Sequence, residues 1–352
     1  MIAFRLDANE HVATGHMFRC IAIAKQCRKL GMECIFLLAD ESNADILRRE
    51  GMPYQMLELK WDDWDYGVDI LEKSLREHQV ECLVVDSYKV TSHFFEKIPK
   101  DISVLYLDDI CTQPYRLSAA LHYSEWEDES ILKNLYRGTV TKVYSGMQYM
   151  PLQEKFCNKK AYQVEKTHDL LITTGGSDPH HISLKLLQRI VYDSFFHNQK
   201  ICVVLGKMNK DKEAIEALTS ELSNITILQN ISNMEEIMCH SAYAITAAGT
   251  TVYELMACGV AFVCFGFSED QKYFGERLAE HGNALWAGDV RQNVDHTVLN
   301  MINTIKELQN MEIDKRKQMI QNNQNLIDGY GAKRIAEIIH TMCEDKDENI
   351  LI

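Results

Sequence analysis

"AYAITAAGTTVYELMACGVAFVCFGF", residues 242–267, is the most apolar stretch of the chain, and how it is read decides the fold. A membrane-spanning helix needs about 20 uninterrupted apolar residues. Here Glu254 and several glycines break the run. The stretch divides better into a buried strand ending in small residues, a helix over 250–258 opened by Gly249-Thr250-Thr251, and a second buried strand. Gly259 suits the C-terminal end of that helix. Strand, helix, strand is one βαβ unit of a parallel sheet.

The same rhythm extends in both directions. Upstream lie "DLLITT" (169–174), a helix from about 180, "KICVVLG" (200–206), a helix to about 222, "ITIL" (225–228) and a helix over 233–240. The first half alternates "IAFRL" (2–6), a helix over 16–30, "ECIFLL" (33–38), a helix over 42–50, "YQMLEL" (54–59), a helix over 66–78, "CLVVDSY" (82–88) and "SVLYLDD" (103–109). Between about 111 and 165 the pattern weakens into charged loops, and three helical segments near 293–309, 313–327 and 332–343 close the chain. With 352 residues, about twice the usual domain size, this predicts two doubly wound α/β domains, 1–160 and 161–352, the closing helices belonging to the second.

Composition narrows the function classes. The formal charge of -14, from 37 basic and 51 acidic side chains, repels nucleic acid and anionic membrane, so neither is an expected partner. An anionic ligand would have to be held locally, as by backbone N–H groups at a helix N-terminus. Eleven cysteines, without close C-x-x-C pairs or zinc spacing, read as buried reduced thiols. "MIAFRLD" at the start lacks signal-peptide features, which predicts a cytoplasmic protein, with a monomer as the expected state.

In doubly wound sheets ligands meet the C-terminal ends of strands, so the chemistry is sought at strand-to-helix junctions. In "ATGHMFRC" (13–20), Asp7 ends the first strand and Gly15-His16 opens the helix, with Arg19 one turn on. An imidazole there can take a proton from water or from a substrate hydroxyl at neutral pH; alternatively it only bonds a backbone group. "LLITTGGSDPHH" (170–181) runs a strand into Gly175-Gly176-Ser177, where backbone N–H groups could approach a phosphate or sugar, or simply form a capped turn. At 249–254, helix N–H groups, Thr250 and Thr251 hydroxyls and Glu254 offer phosphate and ribose contacts; the bland alternative is threonine caps and a capping-box glutamate. "FSEDQ" (267–271) brings Asp270 and Gln271 beside it, and "VVDSY" (84–88) and "LDDI" (107–110) put Asp86, Ser87, Tyr88, Asp108 and Asp109 at strand ends of the first half. Asp63-x-Asp65 in "WDDWDYGVD" reads as an acidic helix start, and no metal site is assigned.

Taken in order, "FRLDA…ATGHMFRC", "VVDSY", "LDD", "YSGMQYMPLQEKF", "TTGGSDPHH", "VVLG", "AAGTTVYELMACGV", "EDQ" and "DGYGAKRI" resemble the UDP-sugar hydrolases of pseudaminic acid biosynthesis over nearly the whole chain. Those enzymes remove UDP from UDP-2,4-diacetamido-2,4,6-trideoxy-β-L-altropyranose. The family has the GT-B fold, two Rossmann-like domains facing a central cleft, and is similar to the peptidoglycan transferase that uses a UDP-N-acetylglucosamine donor. The resemblance implies His16 as the general base that directs water to the anomeric carbon with inversion. It implies Asp7, Gly15, Arg19, Tyr88, Asp270 and Gln271 around the sugar. UDP would be held by Gly175, Gly176, Ser177, Ile231, Gly249, Thr250, Thr251 and Glu254, with no cofactor or metal.

The chain departs from the family at two places. Asp270-Gln271 stands where the family has Asn-Gln, and "ALHYSEW" (120–126) where it has an asparagine-containing segment. An ionised Asp only accepts hydrogen bonds, whereas Asn also donates, so the resemblance leaves the hexose open. Two other functions use the same residues. A glycosyltransferase would deprotonate an acceptor hydroxyl with His16, and a basic or amphipathic patch for a lipid acceptor is not evident in the first half. A non-catalytic UDP-sugar-binding protein would be indifferent to loss of His16.

Overall fold

The computed structural model describes residues 1–6, 15–124, 126, 130–159 and 164–350, with side chains through 344. The chain divides into two compact units, Met1–Glu154 with Gly329–Ile352, and Lys155–Asp328. The first unit runs β1 (Ile2–Leu6), α1 (Gly15–Lys29), β2 (Cys34–Leu38), α2 (Ala44–Arg49), β3 (Tyr54–Met56), α3 (Val68–Glu77), β4 (Cys82–Asp86), α4 (Ser92–Lys97), β5 (Ser103–Leu107), β6 (Ala119–His122), α5 (Ile131–Leu135) and β7 (Lys142–Ser145). The second runs β8 (His168–Thr173), α6 (Ile182–Ile190), β9 (Ile201–Leu205), α7 (Lys212–Thr219), β10 (Ile225–Gln229), α8 (Met234–Cys239), β11 (Ser241–Ala247), α9 (Thr250–Cys258), β12 (Ala261–Gly266), α10 (Glu269–Glu280), β13 (Leu285–Asp289), α11 (Val294–Asn310) and α12 (Ile313–Leu326). The last helix is α13 (Gly331–Ile350).

Both sheets are parallel. Their strand orders are β3-β2-β1-β4-β5-β6-β7 and β10-β9-β8-β11-β12-β13. Strands β1, β2, β4, β5 and β12 are buried at every position, which is why they read as mainly apolar runs with no alternation, broken only by Arg5, Asp86 and Ser103. In each sheet the winding direction reverses between the first and fourth strands, at β1/β4 and at β8/β11. In doubly wound sheets such a reversal is the place where ligands bind. The residues that follow β1, β4, β8 and β11 are therefore the ones the topology offers to a ligand.

Three expectations from the sequence are corrected. The weak stretch 111–165 contributes β6, α5 and β7, whose four or five residues are too few to display a period. The helix after "TTGGSDP" begins at Ile182 rather than near 180, because Asp178 (φ 46) turns its carboxylate onto the N–H groups of Ile182 and Ser183, each at 2.8 Å. Residues 329–352 do not join the second domain: they belong to the first unit, and the division falls at Glu154/Lys155 instead of 160/161. The reason is packing. Helix α13 lies against α1 and buries Ala332, Ile335, Ala336, Ile339 and Met342. At its start a Cβ on Gly331 would stand 2.1 Å from the Met150 carbonyl oxygen, so only glycine permits the approach.

Candidate active site

At the switch point of the first unit, His16 is the second residue of α1 and Asp86 the last of β4. Both are buried, and His16 Nδ1 lies 2.7 Å from Asp86 Oδ1. A carboxylate only accepts, so Nδ1 carries the hydrogen, and in the neutral form of the ring Nε2 is the acceptor nitrogen. Arg19, one turn further along the same face of α1, fixes that carboxylate through Nε to Asp86 Oδ2 (2.5 Å) and Nη2 to Oδ1. Its Nη1 reaches Asp109 Oδ2 (2.8 Å) and the Tyr123 hydroxyl. Tyr88 sets its ring edge-on to His16, centroids 4.7 Å apart.

This cluster is a buried network of charges. Burial by itself would raise the Asp86 carboxyl, but Arg19 and His16 outweigh it and hold the group well below the usual carboxylate range. Arg19 is the converse: burial would lower it, and the carboxylates of Asp109 and Asp86 hold it well above its ordinary value. The Tyr88 phenol is pushed up to about 12, first by desolvation and then by Asp109, so it is a neutral donor at physiological pH. Asp108 plays another part. It accepts from Cys111 N (2.9 Å) and Tyr136 OH (3.4 Å), which pins the turn that aims Asp109 at Arg19.

In the second unit the turn after β8 carries Gly175 at φ +95, with Gly176 and Ser177 exposed. The loop after β9 supports it from below: Met208 N donates to Gly176 O (3.1 Å), and a Cβ on Gly206 would come within 2.2 Å of that oxygen. Helix α9 starts behind Gly249 without a side-chain cap, so its first-turn N–H groups, with the exposed Thr250, form a donor cluster at the positive end of the helix. The absence of a cap bond there removes the capping-box reading of Glu254. That carboxyl is pushed up to about 7, chiefly by burial, with Lys155 opposing and Glu235 reinforcing the rise. Lys155 and Glu235 themselves pair at 3.0 Å. Gln271, on the first turn of α10, accepts from Phe267 N (3.1 Å) and brings Nε2 to 3.7 Å from the position a Gly249 Cβ would occupy.

The structure thus gathers His16, Arg19 and Tyr88 in one unit, and Gly175, Gly176, Ser177, Gly249, Thr250, Thr251, Glu254 and Gln271 at the switch-point end of the other. Asp270 is exposed on α10, and Ile231 lies half-buried in the turn between β10 and α8. Asp7 lies outside the described residues. Arg19, expected beside the sugar, has its nitrogens committed to Asp86, Asp109 and Tyr123, and serves as the clamp of the histidine's partner. Sequence reasoning had placed Asp86 and Asp109 at strand ends without giving them partners. Tyr123 and Lys155 lie in stretches compared with the family, "ALHYSEW" and "YSGMQYMPLQEKF", with no role given to either, and Glu235 has no local signal. Asp63 and Asp65 hold a loop by accepting from Tyr66 N (3.1 Å) and Thr91 Oγ1 (2.6 Å). No helix among the described residues is long and apolar enough to cross a membrane.

Two doubly wound parallel sheets in series, each with ligand-ready groups at its switch point, make this a protein of GT-B fold. Solved structures agree: the chain superposes on MurG of Acinetobacter baumannii with a TM-score of 0.67 at 16% identity, covering 97% of this chain and 99% of that one. A UDP-glucosyltransferase from Polygonum tinctorium gives a TM-score of 0.68 at 12% identity, with 97% and 98% covered. Residues 170–338 match the glycosyltransferase family 28 C-terminal domain. Among sequences, the chain is similar to the UDP-2,4-diacetamido-2,4,6-trideoxy-beta-L-altropyranose hydrolase of Campylobacter jejuni, 22% identical over 289 residues, 80% of this chain and 97% of that protein. It is similar to the spore coat polysaccharide biosynthesis protein SpsG of Bacillus subtilis, 21% identical, with 79% and 81% covered. The uncharacterized protein MJ1062 of Methanocaldococcus jannaschii is 24% identical over 77% of this chain, which spans only 56% of that protein.

Proposed function

We propose that this protein hydrolyses a UDP-sugar, UDP-2,4-diacetamido-2,4,6-trideoxy-β-L-altropyranose, to UDP and the free sugar in pseudaminic acid biosynthesis. The observation that carries the reading is the buried His16–Asp86 pair with Nε2 left as a base. Water attacks C1, His16 Nε2 takes its proton, and the bond from C1 to the diphosphate oxygen breaks with inversion. Asp86 stabilises the imidazolium so formed. The leaving UDP takes its charge to the N–H groups at 249–251 and to the Gly175–Ser177 turn, while Glu254 accepts from the ribose hydroxyls. The likeness to the Campylobacter hydrolase supports this substrate class.

A transferase reading draws on the family 28 match and would put an acceptor hydroxyl where water stands. Turnover in oxygen-18 water without an acceptor separates the two. Label in the free sugar and none in UDP supports hydrolysis by attack at C1; UDP released only after an acceptor is added overturns it.

The Glu254 assignment carries its own pH test. A carboxyl at about 7 is largely protonated below neutrality, and only the ionised form offers both oxygens to two hydroxyl donors. UDP affinity is therefore expected to rise as pH increases from 6 to 8, with proton release on binding. Glu254→Gln abolishes that slope and weakens binding roughly 10- to 100-fold, the scale of a lost hydrogen bond to a charged group. Isothermal titration calorimetry in two buffers of different ionisation enthalpy reads both effects.

A further inference from the structure

The two carboxylates that hold Arg19 are not equivalent. Asp86 uses both oxygens, Oδ1 with His16 and Arg19 and Oδ2 with Arg19 and the Cys20 thiol (3.5 Å). Asp109 uses one. Its Oδ2 accepts from Arg19 Nη1 (2.8 Å) and from Tyr123 OH (3.1 Å), while Oδ1 is buried with no hydrogen-bond partner among the described residues. A buried carboxylate oxygen without a donor is costly, and native proteins keep few of them. The fold does not explain it. Asp108 already anchors this turn, and the ion pair with Arg19 engages only Oδ2 of Asp109.

What lies nearby is the candidate reaction centre. Tyr88 stands edge-on to His16, the residue as a whole 48% exposed, and Asp109 is the foremost charge acting on its phenol. The unused oxygen thus belongs to a carboxylate that acts on a half-exposed tyrosine lying next to the base. A rigidly held acceptor in that place suits a ligand that brings a hydrogen-bond donor.

Resting on the hydrolase reading, we infer that Asp109 Oδ1 is a specificity-determining acceptor for an N–H or O–H donor on the hexose of the sugar nucleotide. Arg19 and Tyr123 fix Oδ2, so Oδ1 meets a sugar with that donor in place and rejects one without it. The discrimination comes from the bond gained, since an acceptor already buried and unpaired in the free protein is satisfied only by a sugar that brings the donor.

Two substitutions separate this role from a structural one. In Asp109→Asn the amide oxygen must face the donors Arg19 and Tyr123, so its NH2 group stands where the free oxygen stood and opposes the sugar's donor. Asp109→Ala removes the acceptor without opposing the donor, but also abandons Arg19 and Tyr123. Dissociation constants of the intact sugar nucleotide and of UDP are measured in a His16→Ala background, where the ligand survives. The expected result is that Asp109→Asn weakens the sugar nucleotide roughly 10- to 100-fold and more than Asp109→Ala does, with UDP affinity unchanged within about twofold. An analogue with the 2- or 4-acetamido group replaced by hydroxyl, and one with it replaced by hydrogen, tell N–H from O–H. The analogue that lacks the matching donor binds Asp109 and Asp109→Ala proteins alike.

Equal affinity of the Asp109→Asn and parent proteins for the sugar nucleotide overturns the inference. So does a larger loss in Asp109→Ala accompanied by a lower melting temperature, which marks a merely structural carboxylate. If the parent binds the sugar nucleotide no better than UDP, the substrate reading itself fails, and the inference with it.

Discussion

Replacing His16 with alanine is expected to cut turnover of the sugar nucleotide roughly 100-fold or more while UDP affinity stays within about twofold, the usual scale for a lost general base. The argument is geometric. His16 is buried against Asp86 and Tyr88 in the first unit, whereas the groups proposed to hold UDP are in the second, so the substitution removes a proton acceptor and no nucleotide contact. Single-turnover rates with UDP affinity measured in parallel make the check. A fall in affinity equal to the fall in rate would make His16 a binding residue, unchanged turnover would remove it from the chemical step, and a parent that binds the sugar nucleotide without any turnover would be a non-catalytic binder.

The largest expected effect on stability belongs to Asp86→Ala. Asp86 is fully buried, and its removal leaves Arg19 inside the protein with Asp109 as its remaining carboxylate. Breaking one side of a buried ion pair costs about 3–5 kcal/mol, because the surviving charge stays desolvated. Urea titrations of the variant against the parent read that cost at neutral pH. The pH dependence has a definite sign. The folded-state carboxyl lies below its unfolded value, so its stabilisation is present above the ordinary carboxylate range, near pH 4, and is lost as pH falls through that range toward the folded value. The gap between parent and variant should therefore narrow from pH 7 to pH 3. A constant gap would assign the loss to packing rather than charge.

Much of the architecture was legible from neighbours along the chain. The helix expected over 250–258 is α9, Thr250–Cys258, because glycines punctuate both ends and the flanking strands are apolar throughout. The Gly249–Thr251 opening is legible for the same reason, a strand end followed at once by a helix start, whereas eight residues separate Leu6 from Gly15 and only the Gly15-His16 pair itself marks that helix start. Elements of four or five residues, β6, α5 and β7, were not, since a period needs more repeats than they contain. Nor was the allegiance of α13. Its apolar face is plain in the sequence, but nothing in the sequence says that the face meets α1, some 300 residues earlier, instead of the helices just before it.

Residues close along the chain specify two doubly wound sheets, a Gly-His pair at one helix start and a Gly-Thr-Thr opening at another; that the second start has no side-chain cap is seen only in the folded chain. Tertiary structure alone decided the company the histidine keeps. Arg19 meets Asp86, Asp109 and Tyr123 across separations of 67, 90 and 104 residues. Those meetings exist because β1, β4, β5 and β6 are neighbours in the sheet and end on one edge. Periodicity and capping are properties of residues within a turn or two of each other, whereas the balance of buried charges depends on which strands the fold sets side by side.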